Sequence, residues 1–268
     1  MGKKFILSID LGTTGNRVFC FDEKGKPISS AYREFTQHFP RPGWVEHDAM
    51  EIWHSVCGLM PEAIEKGGLS PRDVISIGIT NQRETSLLWD RETGKPIHNA
   101  IVWQCRRTVD ICNRLKQSGH EEIFRNTTGL VIDAYFSGTK VKWLLDNVAG
   151  ARESAEAGKL LFGTIDTWML WKLTGGGSHM TDYSNASRTL MYDIKKKEWS
   201  RTLLDILGVP ASVLPGVGPS ASDFGKTRNA PYIPDGIMVG GIAGDQQAAL
   251  VGQGCVAPGT SKHTYGTG

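Results

Sequence analysis

A chain of 268 residues with 30 Lys and Arg against 28 Asp and Glu is nearly neutral, and neither sign forms a long run. That balance gives no support to nucleic acid as the main partner, and the lack of an 18-residue apolar stretch gives none to membrane insertion. Five scattered cysteines (Cys20, Cys57, Cys105, Cys112, Cys255) read as reduced thiols of a cytoplasmic protein, not as disulfides or a zinc site.

The first element is the run FILSID, in which Phe5, Leu7 and Ile9 alternate with Ile6 and Ser8 and end on Asp10. This is the pattern of a buried strand with a carboxylate at its C-terminal end, where open α/β sheets bind ligands. Gly12 and Gly15 permit a tight turn, Thr13 and Thr14 offer anion donors, and Arg17 adds a guanidinium fork. A carboxylate beside phosphate donors calls for a cation between them, and Mg²⁺ suits that place. The same residues also fit a β-hairpin whose Gly-rich turn is capped by an Asp. Strands over 17–21 and 28–35 complete a three-stranded meander, unlike a Rossmann start, where a helix follows the first strand.

Breakers Pro40, Pro42 and Gly43 make 36–47 a loop. Asp48 and Glu51 form a capping-box-like pair ahead of a helix whose Met50, Trp53, Cys57, Met60 and Ile64 share one face, with Pro61 as a kink point. Residues 74–80 read as a central strand and 86–89 as its hairpin neighbour. Helices are expected over 106–118 and 138–149, and a strand over 160–165. Asp166 is expected to cap the next helix, whose Trp168, Met169, Trp171 and Leu173 pack until glycines 175–177 stop it. After a Pro- and Gly-rich stretch over 208–236, a strand over 237–243 runs through Gly244-Asp245 into a helix starting at Gln246.

Asp245 repeats the setting of Asp10: apolar strand, glycine, then an acid at a helix N-terminus, where the helix dipole favours the ionised form. It reads as a base or ligand-binding group, or as a plain N-cap. Arg83 and Glu84 follow an apolar strand and present a donor and an acceptor suited to a polyol, although the pair also fits a charged turn. Trp103 and Tyr135 add aromatic surface. Phe224-Gly225-Lys226-Thr227 is a false P-loop, because Ser220 stands where the first glycine is required. His38, His47 and His54 lack metal-site spacing.

These pieces resemble the glycerol kinases of the FGGY carbohydrate kinase family, within the actin/hexokinase/Hsp70 ATPase fold. The likeness is carried by DLGTTGNR (10–17), PGWVEHD (42–48), GITNQRET (78–85), AIVWQCRR (100–107), YFSGTKVKWLLDN (135–147), FGTIDTWMLWKLTG (162–175), TDYSNASRT (181–189), GIAGDQQAAL (241–250) and TYGTG (264–268). NQRE and GDQQ match the glycerol branch. The resemblance implies a ribonuclease-H-like α/β domain with a mixed sheet flanked by helices, and ATP-dependent phosphorylation of glycerol. It implies that Arg83, Glu84, Trp103, Tyr135, Asp245 and Gln246 form the glycerol site, with Asp245 as general base. By the same resemblance Asp10 holds Mg²⁺ through water, while Thr13, Thr14 and Arg17 form a first phosphate motif and Gly266 and Thr267 a second.

Gly15 departs from the family, which often has serine there. The resemblance also implies that residues 1–253 are the N-terminal domain and that 254–268 begin a C-terminal, ATP-binding domain that the chain lacks. On that expectation the isolated chain is an inactive half of a homo-oligomeric kinase. The alternative is a non-catalytic polyol-binding or regulatory module derived from a sugar kinase.

Overall fold

The computed structural model describes residues 4–264. Three strands open the chain: β1 (Phe5–Leu11), β2 (Gly15–Phe21) and β3 (Pro27–Glu34). β1 and β2 are antiparallel, with Asp10 opposite Arg17, and β3 continues the meander with Tyr32 opposite Arg17. On the other side of β1 lie two parallel strands, Val74–Asn81 and then Val239–Gly244, giving a mixed five-stranded sheet. The expected meander and the expected mixed sheet are both present. The alternation read from the sequence sorts the faces: Phe5, Leu7, Ile9 and Leu11 of β1 are buried, whereas Ile6, Ser8 and Asp10 are only partly so.

Helix α1 (Ala49–Lys66) covers the buried face of the sheet and runs unbroken through Pro61. Asp48 caps it, accepting from the backbone N–H groups of Met50 (2.7 Å) and Glu51 (3.3 Å). The capping box is not closed, because Glu51 turns instead to the N–H and hydroxyl of Thr36, each at 3.0 Å, and ties down the preceding loop. Helix Ile165–Leu173 lies in the same core through Trp168, Met169 and Leu173.

Ser86–Asp90 is not the hairpin partner of Val74–Asn81. It lies in a second, four-stranded sheet, antiparallel to Leu160–Thr164 and Ala100–Ile101, with Glu46–His47 at the edge. Burial is the reason: Leu87 and Trp89 face the first core and Leu88 a second one, so this strand needs cover on both sides. The second core is closed by helices Val109–Gln117, Glu121–Thr128, Ser137–Asn147, Ala151–Glu156 and Arg201–Leu207.

Asp166 does not cap its helix. Strand Leu160–Thr164 runs straight into Ile165, so Thr164 occupies the cap position and Asp166 is drawn into the interior. There it accepts from the hydroxyls of Thr164 (2.5 Å) and Thr181 (2.6 Å) and from the Asn81 amide (3.1 Å). Burial, with the Asp182 charge adding to it, pushes its carboxyl up to about 6, against the pull of those two hydroxyls.

Candidate active site

Gly12 and Gly15 close the turn between β1 and β2, the Gly12 N–H donating to the Gly15 carbonyl at 3.1 Å. A side chain at Gly15 would be crowded, since a Cβ there would stand 2.6 Å from the Tyr32 hydroxyl and 2.7 Å from the Arg33 carbonyl oxygen. Tyr32 therefore occupies the space that a serine would need.

Beyond this turn opens a cavity of about 280 Å³, lined by Thr13, Thr14, Arg83, Glu84, Trp103, Tyr135, Asp245, Gln246 and Thr264. Eight of these nine are residues singled out in the sequence, delivered by five separate stretches of chain. Arg83 and Glu84 leave the C-terminal end of Val74–Asn81, and Asp245 follows Val239–Gly244, the neighbouring parallel strand. Both ends are carboxyl ends of strands, the position where open α/β sheets hold ligands.

Asp245 is the first residue of helix Asp245–Gly252. Its Oδ1 accepts from Arg83 Nε at 3.2 Å and from the Gln246 N–H at 2.7 Å, while Oδ2 has no partner among the described residues. Arg83 also donates to Gln247 Oε1 at 3.3 Å. Gly244 leaves room for this arrangement: a Cβ there would lie 2.4 Å from Arg83 Cδ.

Glu84 is buried and adopts a left-handed backbone (φ 61°), which turns the chain out of the first sheet. Its Oε1 accepts from Arg188 Nε at 2.6 Å. Burial raises its carboxyl above the ordinary range, and the charges of Arg188, Arg83 and Lys140 oppose that rise. Lys140 is itself buried, which lowers its ammonium to about 7 against the pull of Glu84. It donates to the carbonyl oxygens of Tyr135 and, at 3.1 Å, Phe136, fixing the turn that presents the Tyr135 ring. The Tyr135 and Trp103 rings lie 5.4 Å apart, and Trp103 Nε1 donates to Thr13 Oγ1 at 3.0 Å.

Asp10 stands beside this cavity without lining it. Its carboxyl is raised by burial, lowered by the Arg17 charge and raised again by Asp245, so the two aspartates come within electrostatic reach of each other. Arg17 does not line the cavity either; it stacks over the Tyr32 ring at 5.0 Å. Gly266 and Thr267 lie outside the described residues.

Sequence reasoning missed Arg188, Thr264 and Lys262. Thr264 and Lys262 donate to Gln246 Oε1 at 3.0 and 2.7 Å, so that oxygen is already engaged. Arg188 carried a signal, because a buried Glu84 demands a cation. His47, one of the three histidines dismissed as ligands, is held by Gln37 at 2.7 Å, and burial lowers it to about 3.

The description "FGGY family of carbohydrate kinases, N-terminal domain" matches residues 5–252. The chain belongs to this family. It is 60% identical over 266 residues to the glycerol kinase of Leptospira biflexa serovar Patoc, covering 99% of this chain and 53% of the relative. Identity to the Bacillus cereus glycerol kinase is 57% over 266 residues, covering 99% and 54%. Plasmodium falciparum glycerol kinase, solved with ADP, superposes with a TM-score of 0.89 at 37% identity, covering 94% of this chain and 50% of that one. The FGGY chain thus spans about half the length of the curated relatives it matches. Among the described residues no helix is long and apolar enough to cross a membrane.

Proposed function

We propose that this chain is the substrate-side half of a glycerol kinase, which converts ATP and glycerol to ADP and sn-glycerol 3-phosphate. Residues 1–253 form the N-terminal domain in this reading, and 254–268 lead into an ATP-binding domain. The observation that carries it is the convergence on one cavity of Arg83, Glu84, Trp103, Tyr135 and Asp245, with Thr13 and Thr14 lining it as well.

Glycerol has three hydroxyls on a short carbon chain. The Trp103 and Tyr135 faces suit its carbon atoms, while Arg83 donates and Glu84 accepts at hydroxyls, with Glu84 Oε2 the oxygen that Arg188 leaves available. Asp245 is the base. Arg83 and the Gln246 N–H hold Oδ1 and leave Oδ2 to take the proton of the primary hydroxyl as its oxygen bonds to the γ-phosphorus. The bond from that phosphorus to the bridging oxygen breaks, and ADP departs with the electron pair.

Thr13 and Thr14 are placed to donate to phosphate oxygens, and Arg17 adds positive charge behind Asp10. The surroundings of Asp10 fit a cation: its carboxylate has no hydrogen-bond partner among the described residues, and the neighbouring Asp245 adds a second negative charge that acts on it. Asp10 would hold Mg²⁺ through water, and the bound ion would offset charge on the phosphate oxygens.

The test is Asp245→Asn in the complete protein. Turnover should collapse by several orders of magnitude while glycerol affinity changes only a few-fold. Comparable losses in both would reduce Asp245 to a binding residue. A wild-type protein that binds glycerol without turnover would instead favour the regulatory module.

A further inference from the structure

The stretch TDYSNASRT holds Glu84 through Arg188, and it is also bonded to both strands that deliver reacting groups. Strand Val74–Asn81 ends two residues before Arg83, and strand Val239–Gly244 ends one residue before Asp245. Asn185 bridges to the first of these ends: its amide donates to Asn81 Oδ1 at 3.1 Å and its oxygen accepts from Asn81 Nδ2 at 3.0 Å. The same amide donates to Asp182 Oδ1 at 2.9 Å.

Asp182 is wholly buried, and its Oδ2 accepts from the hydroxyls of Ser184 (2.6 Å) and Ser220 (2.7 Å). A hydroxyl has one proton, and that of Ser184 is committed to Asp182. Its lone pair then faces the Gly244 N–H, which donates to it at 2.8 Å. Gly244 is the last residue of its strand to pair, opposite Asn81, and helix Asp245–Gly252 starts directly after it. On its other side lies the Arg83 stem, so Gly244 is held between Ser184 and Arg83.

We propose that Ser184, oriented by Asp182, is a positioning residue that sets where the Asp245 carboxylate stands relative to Arg83 and Glu84. This rests on the reading of Asp245 as the base. The hydroxyl touches no substrate and works through one backbone N–H, immediately before the group that must meet the reacting oxygen. Misplacement of such a group by about an ångström is enough to cost up to ~100-fold in rate.

The experiment compares Ser184→Ala, Ser184→Thr, Asp245→Asn and the Ser184→Ala/Asp245→Asn double variant in the complete protein. For Ser184→Ala, kcat should fall about tenfold with the glycerol KM within about twofold, because ground-state contacts are untouched. Ser184→Thr keeps the oxygen and should restore kcat. In the Asp245→Asn background the further loss should vanish, since both changes act on one group.

A wild-type kcat in Ser184→Ala overturns the proposal. A loss that threonine does not restore, or one that is additive in the double variant, overturns it too, because either would show an effect not routed through Asp245. If Asp245→Asn alone keeps its turnover, the base reading itself fails, a result distinct from all of these.

Discussion

On the side of the cavity proposed for the polyol the groups are held by others: Arg83 by Asp245 and Gln247, Glu84 by Arg188, and the Tyr135 backbone by Lys140. On the side proposed for phosphate, neither Thr14 nor Asp10 makes a side-chain hydrogen bond among the described residues. The difference lies in preorganisation. The first side is already held in place by partly buried ion pairs, which offset part of its desolvation cost before anything binds. The second is a turn with loose donors, which is what a site completed by other groups requires.

Arg188→Ala should break this contrast most severely. Glu84 would become a buried carboxylate without its closest cation, and stability should drop by about 3 kcal/mol, with glycerol affinity falling as well. Denaturant unfolding and glycerol titration of the same variant check both. Gly244→Ala comes next: the added methyl must displace the Arg83 stem, for about 1–3 kcal/mol of stability and a raised glycerol KM.

On the phosphate side, Gly15→Ser should destabilise by about 1–2 kcal/mol, because its Cβ meets both Tyr32 and the Arg33 carbonyl. Adding Tyr32→Ala should recover part of that loss but not all, since only the side-chain contact can yield. Thr14→Ala should leave stability within about 0.5 kcal/mol while raising the nucleotide KM, the mark of a group that works only when a ligand is present.

A pH dependence tests the core beneath both sides. Asp166 has a folded pKa raised to about 6 from an ordinary value of 3.8. Its contribution to stability is full below the ordinary value and is lost as pH rises through the folded one. Asp166→Asn should therefore remove a decline in stability between about pH 4 and 6, read by thermal unfolding across that range, even if its absolute stability is lower.

Much of this was legible. Period-two burial in FILSID and VISIGIT revealed the strands, and an acid after each apolar run marked Asp10 and Asp245. What was hidden depends on partners far away in sequence. Ser86–Asp90 is apolar on both faces, so its pattern gave no sign of which sheet it joins. Strands such as Glu46–His47 and Ala100–Ile101 are two residues long and carry no period at all. Asp182, Ser184 and Asn185 look like any polar turn, because their value lies in which backbone groups they meet. Asp166 had the composition of a helix cap and became an interior acceptor only because Thr164 ends a strand with no intervening loop.

The indole N–H of Trp103 rests on the hydroxyl of Thr13, and so an aromatic wall of one proposed half-site leans on a donor of the other. That contact makes the halves thermodynamically reciprocal. Any occupant that draws on the Thr13 oxygen alters the hold on Trp103, and any occupant that shifts the indole alters what Thr13 can offer. By linkage the two influences are equal in free energy, whichever site fills first.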